Sequence, residues 1–187
     1  VNENTLNWDK SFGDHNFNVL LGQSFSSYEI MRSNLSSGAL YNSSTVETLP
    51  TGSLGSTNAE KSTLLSYFAR LQYNYKEKYI LSASVRRDGS SKFGSDKQWG
   101  VFPSLSLAWR VKQEEFLQKV DWLSDLKLRA SGGLNGSNNI GSYASYATLA
   151  TYNYSIGGAA AIGQGASSIA NPSLHWEESR SVDFGLD

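Results

Sequence analysis

Two alternating runs joined by three charged residues constrain this chain more than any other feature. Over Ser66–Tyr75, an extended backbone puts Tyr67, Ala69, Leu71, Tyr73 and Tyr75 on one side and Ser66, Arg70, Gln72 and Asn74 on the other. After Lys76-Glu77-Lys78, the run Tyr79–Arg86 sets Tyr79, Leu81, Ala83 and Val85 against Ser82, Ser84 and Arg86. A tilted strand of about 9–11 residues crosses a bilayer core, and aromatic residues near its ends suit the interfaces. The pair therefore reads as a hairpin in the wall of a membrane barrel.

The same period continues along the chain. It predicts strands at about Asn4–Lys10, His15–Phe25, Val101–Val111, Leu126–Leu134 and Trp176–Leu186 in addition to the hairpin. Pro103 cannot donate to a ladder, so it is expected near a strand start or at a bulge. A long polar connection is expected from Met31 through Gly38 to about Ser62, and a short helix within Gln113–Ser124. Connections after the first, third and fifth strands look short or compact, and those after the second, fourth and sixth look long or Gly/Ser-rich. That asymmetry belongs to up-and-down barrels with short periplasmic turns and long outer loops. The expected fold is all-β: an antiparallel up-and-down transmembrane barrel segment of about seven strands, short of the even number that closes a bacterial barrel.

Composition narrows the choice without deciding it. Mean hydropathy is -0.39, and no run approaches the roughly 18 apolar residues that a membrane helix needs. A barrel strand spends only alternate residues on lipid, so this value does not argue against a membrane. Net charge is -1 with 16 basic residues spread thinly, which argues against a nucleic-acid partner. There is no cysteine, so disulfides and thiolate metal sites are out, and the first residues carry no signal-peptide pattern. The pattern starts and stops abruptly, so residues 1–187 are expected to be a piece of a larger barrel wall.

No motif indicates bond chemistry, and no enzyme activity, cofactor or metal is expected. Asp88–Gly94 lacks the lysine and hydroxyl order of a phosphate loop and the ligand count of a calcium loop, so it reads as a structural turn. Gly163-Gln164-Gly165 reads as a loop, and His15 and His175 stand too far apart in pattern to suggest a metal site. His175-Trp176-Glu177 is expected at the outer end of a strand, where amphipathic side chains meet headgroups and water. Arg70, Arg86, Arg110, Lys127 and Arg129 fall on the polar faces of their strands and are expected to face the lumen, because a charge toward lipid costs about 2–4 kcal/mol at the bilayer midplane. The loop tyrosines Tyr143, Tyr146, Tyr152 and Tyr154 are candidate substrate contacts, since sugar C–H faces suit aromatic platforms. Two rival readings remain open on these grounds: a soluble secreted carbohydrate-binding sandwich, and a passive porin or adhesin barrel.

Several segments resemble the barrel of the SusC/RagA family of TonB-dependent outer-membrane transporters. They are Ser66-Tyr-Phe-Ala-Arg70 with Tyr73-Asn-Tyr75, Ser84–Gly94, Trp99–Ser104 with Ala108-Trp-Arg110, Leu123–Ser131, and Asn171-Pro172 with Leu174–Glu177. The resemblance covers roughly residues 15 to 187. It implies a barrel of about 22 strands, an N-terminal plug, energy from a TonB-ExbB-ExbD complex, and a SusD-like surface lipoprotein as lid. It further implies residence among outer-membrane lipid and import of oligosaccharide cargo, with peptide cargo as the alternative. The stretch Tyr152–Ser168 matches nothing in the family pattern.

Overall fold

A computed structural model describes residues 1–36 and 54–187. Seven strands form one sheet, and a separate hairpin stands apart from it. The wall strands are β1 (Asn2–Phe12), β2 (His15–Ser36), β3 (Leu54–Tyr75), β4 (Tyr79–Ser90), β5 (Trp99–Arg110), β6 (Lys127–Ser137) and β9 (Glu177–Leu186). Each pairs antiparallel with the one before it. The hairpin strands β7 (Thr148–Ile156) and β8 (Ala159–Ser168) pair with each other inside the β6–β9 connection. Tight turns close the β1–β2 and β3–β4 hairpins, and each longer connection returns the chain to the adjacent edge, which gives a continuous up-and-down order.

Register turns the alternation of single strands into two faces of a sheet. Phe17, Tyr73, Leu81, Leu107, Ala130 and Phe184 lie in one cross-strand row, and Val19, Leu71, Ala83, Leu105, Gly132 and Val182 in the next. Among the described residues no second sheet covers this apolar face: Leu105 is 49% exposed, Leu107 52% and Phe184 83%. A soluble sandwich would bury that surface, so the sandwich expectation fails here.

The structure revises several sequence expectations. The strands β2 and β3 run on as a two-stranded ribbon well past Phe25 and Ser66, because Glu29–Lys61 and Met31–Ala59 continue the pairing. The described parts of the connection expected as loop, residues 31–36 and 54–62, are therefore strand, and residues 37–53 lie outside the described residues. The helix is reduced to a 3-10 turn at Val111–Gln113 and one turn, α1, at Glu115–Gln118. Pro103 falls inside β5 without a bulge, immediately before Ser104, where pairing with β6 begins, so this ladder does not require its missing N–H. The contrast in connection length is partial: residues 91–98 join β4 to β5, a shorter link than residues 111–126 between β5 and β6.

Candidate functional site

The face opposite the apolar rows is polar across the sheet. Asp9, Asn18, Gln72, Ser82, Ser106, Ser131 and Asp183 share one row, and Arg70, Ser84, Ser104 and Ser181 share the next. Ser84 and Ser104 hydroxyls lie 2.7 Å apart across β4 and β5. All five predicted basic residues belong to this face. Arg129 donates to the Asp187 carboxylate at 2.7 Å, and Lys127 lies 3.4 Å from its other oxygen. These bonds, Arg129 first, hold the Asp187 carboxyl below its usual range. Arg70 is exposed and forms no ion pair among the described residues.

Arg86 is differently placed. Its Nε donates to both oxygens of the Asp88 carboxylate at 2.7 and 2.9 Å, and Nη2 donates to Ser66 Oγ at 3.0 Å. Asp88 is 8% exposed and Ser66 fully buried. The guanidinium also lies 5.8 Å from the Phe68 ring centroid. Arg86 is thus ion-paired and orients Asp88 and Ser66, while its side chain remains about half exposed.

Beyond this clamp, at the loop end of the same face, sits a small core that sequence reasoning missed. Phe93, Phe102 and Trp176 are buried, with Leu64, Leu134, Ile140 and Leu174 packed around them. Trp176 lies 5.2 Å from Phe93 and 5.3 Å from Phe102 between ring centroids, and its indole N–H donates to the Gln98 carbonyl at 2.9 Å. The expectation that Trp176 meets headgroups and water is therefore corrected: it is 5% exposed. Space for Phe102 comes from glycine, since a Cβ at Gly136 would fall 2.0 Å and at Gly100 2.5 Å from its ring. The end of β4 from Asp88 with the turn that follows it to Gly94, and the segment Asn171–Trp176, carry this core, so their clustered aromatic and glycine residues were the available signal.

Hydrogen bonds extend the core into the loops. Lys92 Nζ donates to the Asn138 carbonyl, Asn138 Nδ2 to Ser90 Oγ, and Ser145 Oγ to the Lys92 carbonyl. From this base rises the β7–β8 hairpin. Tyr152 and Tyr154 share one face of it, with their rings over Gly165 and Gly163, 3.2 and 2.5 Å from where a Cβ would stand. Tyr143 and Tyr146 precede the hairpin in a separate turn, and all four tyrosines are at least 43% exposed. Between Arg129 and Glu177 the sequence contains no Asp, Glu, Lys or Arg.

At the turn end, the aromatic residues lie on the apolar face instead. Register places Phe12, His15, Tyr75, Tyr79 and Trp109 in one row. The centroid of His15 is 4.6 Å from Tyr75, Tyr75 is 6.2 Å from Tyr79, and Tyr79 is 6.4 Å from Trp109. Glu114 holds the row from below, accepting from Tyr79 Oη at 2.7 Å, Trp109 Nε1 at 3.1 Å and Lys78 Nζ at 3.2 Å. These bonds, led by the Tyr79 hydroxyl, hold its carboxyl below the usual glutamate range.

A sheet that is polar on one face, apolar and uncovered on the other, and edged with an aromatic row is wall of a transmembrane β-barrel. The chain belongs to the family of TonB-dependent receptor-like β-barrels, whose model matches residues 2–187. It is 40% identical over 133 residues to the TonB-dependent receptor SusC of Bacteroides thetaiotaomicron, covering 69% of this chain. It is 35% identical over 196 residues to TonB-dependent receptor P39 of Formosa agariphila, covering all of it. Among solved structures, the RagAB peptide transporter superposes with a TM-score of 0.80 over 98% of the chain at 30% identity. The chain spans 13% and 18% of those two relatives and 21% of that structure's chain.

Proposed function

We propose that residues 1–187 are part of the barrel domain of a longer outer-membrane transporter that imports neutral oligosaccharides. In this reading β1 to β6 and β9 form lumen wall, the turn end faces the periplasm, and the loop end faces outside. A plug domain elsewhere in the protein, a TonB-ExbB-ExbD complex and a SusD-like lipoprotein lid complete the machine. Cargo captured at the loop end would pass along the Ser- and Asn-lined face once the plug yields.

The observation that carries the cargo assignment is the charge-free stretch between Arg129 and Glu177, with the exposed Tyr152 and Tyr154 packed across Gly165 and Gly163. Exposed aromatic faces without flanking charge suit stacking on sugar rings. Peptide import is the second reading, favoured by the likeness to RagAB. Uptake by cells carrying the full-length receptor decides between them. Import of labelled neutral oligosaccharides, reduced by Tyr152→Ala with Tyr154→Ala, supports the glycan reading. Import of labelled peptides alone overturns it, and no import of either overturns transport of both cargo classes.

A further inference from the structure

The two adjacent arginines of β4 face opposite ways. Arg86 lies on the polar face and is consumed by Asp88 and Ser66. Arg87 pairs in register with Tyr67 and Val101, so it belongs to the apolar face. It is exposed and forms no ion pair among the described residues, and Asp88 beside it is turned to the other side and taken by Arg86. An unpaired guanidinium on a face that meets hydrocarbon needs an anion or an interface.

Its depth along the strand indicates an interface. Arg87 lies eight positions beyond Tyr79 in β4, about 26 Å of strand at ~3.3 Å per residue and about 20 Å of height at a tilt of ~40°. Trp99 lies ten positions from Trp109 in β5, about 25 Å of height by the same measure. An apolar band about 25 Å tall ends at the level of Trp99, the second girdle, about 5 Å beyond the Arg87 backbone and within reach of its side chain. Tyr67 and Trp99 supply that girdle, stacked with centroids 6.2 Å apart. The Trp99 ring lies close over Gly89, where a Cβ would fall 2.9 Å from it. The Arg87 guanidinium sits over this ring at 4.6 Å. Contact with the ring on one side leaves guanidinium N–H groups able to make charge-assisted bonds to a tetrahedral oxyanion.

We propose that Arg87, backed by Trp99 and Tyr67, binds the phosphate of an anionic membrane lipid at the loop-end rim of the barrel wall. Acyl chains of that lipid lie along the exposed Val85, Val101 and Leu105, so apolar contact and a charge-assisted bond act on one molecule. This site rests on the membrane reading above.

The test uses full-length receptor extracted from outer membranes, with native mass spectrometry reading bound lipid. The probes are lipid A, the same lipid A with its phosphates removed, and inorganic phosphate. Wild type is expected to retain about tenfold more phosphorylated lipid A than Arg87→Gln, with Arg87→Lys and Trp99→Leu between them. The dephosphorylated lipid is expected to bind both proteins equally and weakly. Equal retention of lipid A by wild type and a normally inserted Arg87→Gln overturns the site and leaves the membrane reading standing. Binding of inorganic phosphate that displaces lipid A overturns the lipid assignment in favour of a free-anion site. Recovery of wild-type receptor in the soluble fraction overturns the membrane reading and this site with it.

Discussion

Two aromatic clusters of this sheet, the loop-end core and the turn-end row, lie on opposite faces, and their surroundings are reversed relative to a water-soluble protein. On the polar face, Phe93, Phe102 and Trp176 are excluded from solvent by one another and by the loops above them. On the apolar face, the row from His15 to Trp109 keeps its rings outward, with Tyr79 45% exposed. The first group is stabilised by burial from water. The second is stable only where its surroundings are a headgroup region, with Glu114 gathering its polar atoms. Hydrophobicity alone therefore says nothing about which aromatic side chain is core in such a wall.

The sharpest way to break this contrast is at Phe102. Phe102→Ala in the full-length receptor is expected to cost about 3–5 kcal/mol of local stability, read as protease cleavage of the β4–β5 and β6–β9 connections. Unchanged cleavage would mean that the loop-end core is not a core. Charge placement tests the faces themselves. Leu107→Arg is expected to cost about 2–4 kcal/mol of barrel stability and to reduce outer-membrane insertion, whereas Ser106→Arg, one residue along, leaves insertion intact. Similar behaviour of the two would refute the assignment of faces.

The turn-end row responds to acid. The Glu114 carboxyl is depressed by its bonds in the folded state, so its stabilisation is fully present above the ordinary glutamate range and is lost as pH falls through the lowered value. Denaturant midpoints of wild type are expected to converge on those of Glu114→Gln as pH falls through that range; parallel profiles would show that the three bonds do not contribute. Smallest in stability is the hairpin: Tyr154→Ala is expected to leave the barrel's denaturant midpoint unchanged while weakening binding of a neutral oligosaccharide by about tenfold, as loss of one aromatic platform would. A shifted midpoint with unaltered binding would make Tyr154 a packing residue.

Much of the wall was legible in sequence because a period of two is a property of each strand alone. Tyr67, Leu71 and Leu107 announced the apolar face, and Arg70, Lys127 and Arg129 the polar one, before any pairing was known. The β2–β3 ribbon was less legible. Its outer half reads as polar loop because a ribbon that projects past the sheet need not present an apolar face to anything. The β7–β8 hairpin was hidden for a related reason: its glycines, the usual mark of a loop, are the places where tyrosine rings lie across the partner strand.

What the sequence by itself determined, then, is the alternation, the strand order and the identity of the two faces, since these follow from local spacing and short turns. Only the tertiary structure decided that Trp176 is buried against residues 93 and 102, that Arg86 is occupied while Arg87 is open, and that Glu114 serves Tyr79 and Trp109. Each of these depends on contacts between segments far apart in the chain, and local periodicity carries no information about which distant partner a side chain meets.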